Sequence, residues 1–198
     1  KAMLTSQRPK KLSKLELEQY NVLLEEQAFP FEEKAIELHE VNARRASQGI
    51  YDKWVQGSFK ALSELRPVRY GKTERSEAVV DAAAPQTPVE PAAQRAFDDA
   101  RRAMTLNQLG ITYRQQGQFA KAREAYERAI ELDPNYAQAV LNLAILNDIY
   151  LWDGKRALEL YDRYLALTPG GDAVVTKWIA DLKNRKQAPM TAGKKEKA

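Results

Sequence analysis

His39 is the single histidine of this 198-residue chain and the first candidate for acid–base chemistry. A base needs a positioned partner. Glu37 and Glu40 are near it in sequence but fall on different faces of a helix, so His39 reads as a surface or packing residue. With no cysteine in the chain, disulfides, thiolate catalysis and thiolate metal sites are excluded. No His or Cys cluster has metal-ligand spacing. Gly154-Lys155 lacks the upstream glycine of a phosphate loop, and Gln56-Gly57-Ser58 lacks the frame of a nucleophile elbow. Glu25-Glu26 and Glu32-Glu33 read as helix-surface charges; Trp54, Trp152 and Trp178 read as core or turn anchors. The expectation is a non-enzyme with no catalytic residue, no cofactor and no metal.

The elements that would position a recognition surface are easier to read. In residues 103–136, large side chains fall at Leu109, Tyr113, Phe119, Tyr126 and Leu132. Small ones fall at Gly110, Ala122 and Ala129, where two antiparallel helices must approach closely. Pro134 stops the second helix, because proline has no N–H to donate and clashes with the preceding turn. The pattern returns from Ala137, through Leu141, Leu143-Ala144 and Asn147 to Ala157, Tyr161, Tyr164, Leu167 and Pro169. This second copy is one residue longer, and the extra residue fits the turn Leu151-Trp152-Asp153-Gly154. Tyr164 stands where a small residue is expected. After Gly170-Gly171, Asp172 is a good N-cap. Val175, Trp178, Ile179 and Leu182 then form one stripe of an amphipathic helix.

Over residues 103–170 the chain resembles the tetratricopeptide repeat family, whose unit is a 34-residue helix–turn–helix. The resemblance implies an all-α fold, with helical hairpins stacked as a short solenoid and residues 172–186 as the capping helix. It also implies a binding scaffold. In this family the first helix of each repeat lines the concave face. The matching positions are Asn107, Gln108, Ile111, Arg114 and Gln115, then Gln138, Leu141, Asn142, Ile145, Asp148 and Ile149. Part of the apolar set, Ile149 above all, can instead pack under neighbouring helices. Co-chaperone members use an Asn at the position of Asn142 to clamp a C-terminal carboxylate. Asn107 and Ile111 replace the other clamp residues, which argues against a chaperone-tail clamp. The expected ligand is a protein or peptide, held by amides along its backbone.

The rest divides by composition. Residues 1–12 are a basic start and 187–198 a basic tail, both expected to be disordered; the net charge is +4. Nucleic acid is not expected, since few aromatics interleave these charges. Residues 13–67 read as a helical hairpin resembling a degenerate repeat, with one helix from Lys14 to Ala28, a break at Pro30, a second helix over 31–47, a bend at Gln48-Gly49, and a stripe from Tyr51 to Leu65. Residues 68–90 read as a Pro/Ala-rich linker, and 91–186 as two repeats plus the cap. Arg69 to Arg75 read only as connection.

No apolar run approaches the ~20 residues of a membrane span. Residues 23–54 also resemble large bacterial envelope proteins built from these repeats, some of which accompany Tol/TonB-type or gliding motors. That implies a periplasmic or envelope scaffold, compatible with a membrane-associated complex or self-association; the alternative is a cytoplasmic adaptor or co-chaperone. The chain begins at Lys1, and two repeats plus a cap fall short of the three expected of a stable array. A piece of a longer protein is therefore expected.

Overall fold

Ser13 opens the first helix. Its hydroxyl accepts from the Glu16 N–H while the Glu16 carboxylate accepts from the Ser13 N–H, a capping box that satisfies two free donors. Helix α1 then runs without interruption over Lys14–Ala43, through Pro30. The break expected at Pro30 is absent. Proline here removes one hydrogen bond, to the Glu26 carbonyl; Glu26 and Pro30 are both exposed, so water can solvate the freed oxygen. The structure, a computed structural model, describes residues 12–76 and 90–187. Residues 1–11 and 188–198 of the ends expected to be disordered, and 77–89 of the linker, lie outside the described residues; Gln187, assigned to the tail, is helical.

A 3-10 turn at Arg44–Gln48 ends in Gly49, with φ of 81°. Asp52 caps helix α2 (Lys53–Leu65) by accepting from the Trp54 and Val55 N–H groups. Val55, Ser58, Phe59 and Leu62 form its buried face. Asn42, at a position where the repeat pattern wants leucine, donates to Ser58 Oγ (2.8 Å) and to the Trp54 carbonyl (2.9 Å). The hairpin is thus joined partly by an amide. Trp54 itself is 67% exposed, against the expectation of a core or turn anchor. Val55 takes the inward direction, and the preceding residue, about 100° round the helix, faces water.

Pro67 starts the short helix α3 (Pro67–Tyr70). Helix α4 (Pro91–Gln115) and α5 (Phe119–Leu132) form the first repeat. A Cβ at Gly110 would overlap the Tyr126 ring, which explains the small residue there. Helix α6 (Ala137–Ile145) continues into a π turn, Leu146–Tyr150, and pairs with α7 (Gly154–Leu167). Helix α8 (Ala173–Gln187) closes the stack. Its expected stripe, Val175, Trp178, Ile179 and Leu182, is buried. All eight helices among the described residues agree with the all-α expectation, and no strand occurs among them.

The extra residue of the second repeat lies in the π turn. Trp152, with φ of 58°, occupies the left-handed turn position that Gly117, with φ of 75°, holds in the first repeat. The turns are therefore of equal length, and the surplus falls between Leu143 and Trp152. It is absorbed by the wider winding at 146–150, where the Leu151 N–H donates to the Leu146 carbonyl.

The N-terminal hairpin packs against the turns of the two repeats. Tyr51 meets Phe119 edge-on at 5.0 Å, and the Tyr150 ring lies 4.9 Å from both Phe59 and Phe119. Arg44 and Arg69 lie over the Trp152 ring, at 5.1 and 5.3 Å. Gly117 allows this docking twice over: its φ is left-handed, and a Cβ would overlap Tyr51. Gly170 has φ of 85° with open space around it. Gly170→Ala should therefore cost ~1 kcal/mol from backbone strain alone, and Gly117→Ala ~2–3 kcal/mol because Tyr51 must also move. Urea unfolding of both variants checks this; equal midpoints would mean that Tyr51 does not bear on the turn.

Candidate peptide-binding groove

The chain's own residues 72–75, in a segment with no helical structure that follows α3, lie against the first helices of both repeats, where they meet Asn107, Arg114, Asn142 and Asp148. Helix α1 positions it. Glu33 pairs with Arg66 at 2.9 Å, and Glu40 accepts from Arg69 and from the Tyr70 hydroxyl. Glu33, read from the sequence as a helix-surface charge, and Glu40 fix the short helix α3 from which the segment leaves.

Its main chain is held by two amides. Asn142 Nδ2 donates to the Arg75 carbonyl (2.7 Å), and the Arg75 N–H donates to Asn142 Oδ1 (2.8 Å). The side-chain amide thus bonds both polar groups of one residue, as a peptide neighbour would. Asn142 also donates to Asn107 Oδ1 at 2.9 Å, and Asn107 donates to the Arg75 carbonyl at 3.3 Å and to the Tyr136 hydroxyl at 3.2 Å. Both asparagines are wholly buried. Buried amides need such partners, since an unmet one costs ~1–3 kcal/mol.

Two side chains point into the face on either side of exposed Thr73. The Lys72 ammonium pairs with Asp148 and lies 5.2 Å from the Tyr161 ring centre and 5.3 Å from that of Trp178. Asp148 also accepts from Arg185 (2.9 Å) and the Tyr161 hydroxyl (3.2 Å). Burial pulls the Lys72 pKa below its usual 10.5, and Asp148 opposes that fall. The Glu74 carboxylate accepts from Arg114 Nε at 2.7 Å and from the Tyr126 hydroxyl at 2.6 Å, and also pairs with Arg114 Nη2. Burial raises the phenol pKa of Tyr126, and so does the Glu74 charge. Tyr161 is raised in the same way by burial and Asp148.

Arg75 reaches the cap. It donates to the Tyr164 hydroxyl at 2.7 Å and pairs with Asp172 at 2.8 Å, while Tyr164 donates to Asp172 at 3.1 Å. The large side chain at the small-residue position therefore braces the segment against α8. Of the eleven residues matched to the binding face, Asn107, Arg114, Asn142 and Asp148 touch residues 72–75, Ile149 is buried in the main apolar cluster and Gln115 is exposed. Ile111, Leu141 and Ile145 are buried in the main apolar cluster, Gln138 is half-buried, and Gln108 is exposed. Glu74, Tyr126, Tyr161, Tyr164 and Arg185 were not read as groove residues. The one available signal was Tyr164, a bulky residue out of pattern.

The fold is an all-α stack of helical hairpins like that of tetratricopeptide repeats, and repeats of that kind point to protein–protein interaction and to a non-catalytic role. Residues 103–136 match the tetratricopeptide repeat family. The chain is also similar to the uncharacterized protein ycf37 of Pyropia yezoensis, 41% identical over 61 residues. That stretch is 31% of this chain and 34% of the relative, so the chain spans about a third of that protein's length. Among the described residues, no helix is long and apolar enough to cross a membrane.

Asp172 gives the site an acid dependence. Burial alone would raise its carboxyl, but the Val175 N–H, Arg75 and Tyr164 outweigh burial and hold it below the usual 3.8. On acidification the unfolded chain therefore takes up this proton first. The stabilisation is present above 3.8 and is lost as the pH falls through the lower folded value. Asp172→Asn keeps an N-cap and removes the charge. It should flatten the acid limb of thermal stability below pH 3.8; an unchanged limb would assign that limb to other carboxylates.

Proposed function

We propose that this chain is a non-catalytic scaffold whose concave face captures an extended segment of a protein partner. The observation that supports the reading is the two-point bond between Asn142 and the Arg75 backbone, backed by Asn107. An amide so placed serves any extended main chain, whichever protein supplies it. Arg114 adds a forked cation that suits a carboxylate. The compartment proposed with it is the periplasm or envelope, on the resemblance of residues 23–54; a cytoplasmic adaptor is the alternative. A signal or lipoprotein peptide on the precursor would exclude the latter.

A second reading has one observation in its favour. Trp54 is exposed on the N-terminal hairpin, with Lys53 5.1 Å from its ring, and could anchor a partner there. Crosslinking and pull-down from the native host separate the two. In a chain carrying Lys72→Ser and Glu74→Ser, so that its own residues 72–75 compete less, Arg114→Glu and Asn142→Ala should each weaken partner capture by about five- to a hundredfold, as a lost contact of ~1–3 kcal/mol implies. Arg45→Glu and Trp54→Ala should leave it unchanged. The opposite pattern would move the binding site to the hairpin.

A further inference from the structure

Residues 72–75 sit in the groove as a ligand would. The segment belongs to neither repeat, and its bonds reach partners far along the chain: Lys72 to Asp148, Glu74 to Arg114 and Tyr126, Arg75 to Asn142 and Tyr164. Side chains alternate as on an extended strand, where positions i and i+2 share a face. Lys72 and Glu74 point inward, with side chains 0% and 4% exposed; Thr73 faces out and the Arg75 side chain is 42% exposed.

We propose that the groove is selective for an extended segment carrying a lysine and, two residues later, a glutamate. Residues 72–75 occupy it in cis, and a partner segment of the same pattern must displace them. The proposal rests on the peptide-groove reading above and deepens it by naming the ligand and the gate.

Selectivity follows from desolvated charge. The first pocket offers Asp148 between the Tyr161 and Trp178 rings, which suits an ammonium. The second offers the Arg114 fork and the Tyr126 hydroxyl, which suits a carboxylate. A segment with the two charges exchanged would set carboxylate on Asp148 and ammonium on Arg114, and like charges brought together out of water reject the wrong ligand. The Asn142 and Asn107 amides bind main chain and are indifferent to sequence, so they supply grip and the pockets supply choice.

The gate follows from tethering. A tethered segment competes at an effective concentration on the order of mM. A free peptide with a dissociation constant of about 10–100 μM for the open groove would thus be weakened about ten- to a hundredfold in the intact chain.

The test uses the full chain and a fluorescein-labelled peptide, Gly-Lys-Thr-Glu-Arg-Ser, read by fluorescence anisotropy. Lys72→Ser with Glu74→Ser empties the pockets, while Arg185 still pairs with Asp148. This double variant should bind the peptide at least tenfold more tightly than the unaltered chain. Adding Asn142→Ala should abolish the gain, and the charge-exchanged peptide Gly-Glu-Thr-Lys-Arg-Ser should not bind. In the unaltered chain, excess unlabelled peptide should speed hydrogen exchange of the chain's own residues 72–75, which decides the matter if the double variant does not fold. Equal affinity for both forms, or no binding together with unaltered exchange, would overturn the proposal. So would a concentration-dependent dimer exchanging these segments, because the occupant would then be a second copy. If the peptide fails while partner capture still depends on Asn142 and Arg114, the groove reading stands without this inference. If the peptide binds but capture ignores those residues, the groove reading fails instead.

Discussion

The carboxylate of Asp148 joins more of this molecule than any other group in the groove. It receives Lys72 from the segment after α3, Tyr161 from α7 and Arg185 from α8. It thereby ties the N-terminal part, the second repeat and the cap to one point. A carboxylate 1% exposed would be untenable without such partners, since desolvating a lone charge costs far more than one contact returns. Its position depends on the π turn at Leu146–Tyr150. Such turns recur at functional sites because they redirect side chains without breaking the helix. Here the redirection sends Asp148 toward Lys72 and Tyr150 toward the aromatic contact with the hairpin.

Around that point the groove separates two kinds of interaction. Amides at Asn107 and Asn142 hold main chain, whereas Asp148 and Arg114 hold opposite charges on either side of them. The N-terminal hairpin is what delivers the segment. Its aromatic contact with the turns sets where α3 lies, and the pairs Glu33–Arg66 and Glu40–Arg69 set where α3 ends. Hairpin and groove therefore depend on each other, although they are separate in sequence.

Much of the scaffold was legible from residue order. Gly110 opposite Tyr126, Asp172 at the start of α8 and the stripe Val175–Leu182 follow from helical periodicity and capping, which act over a few residues. The groove residues Asn107, Arg114, Asn142 and Asp148 came from the resemblance to the tetratricopeptide family, because position within a repeat implies a face. Pro30 was misread. A proline signals a lost hydrogen bond, but whether the helix breaks depends on what solvates the freed carbonyl and what holds both halves in line.

By itself the sequence determined that the chain is helical, that residues 103–170 stack as paired helices and that α8 caps them. Those outcomes rest on local periodicity and on steric rules for glycine and proline. Only the tertiary structure decided that the surplus residue enters a π turn and that residues 72–75 lie in the groove. Their contacts with Asn142 and Asp148 span 67 and 76 positions. Such contacts leave no period in the chain, because hydrogen bonds and ion pairs at that separation depend on where other elements have already packed.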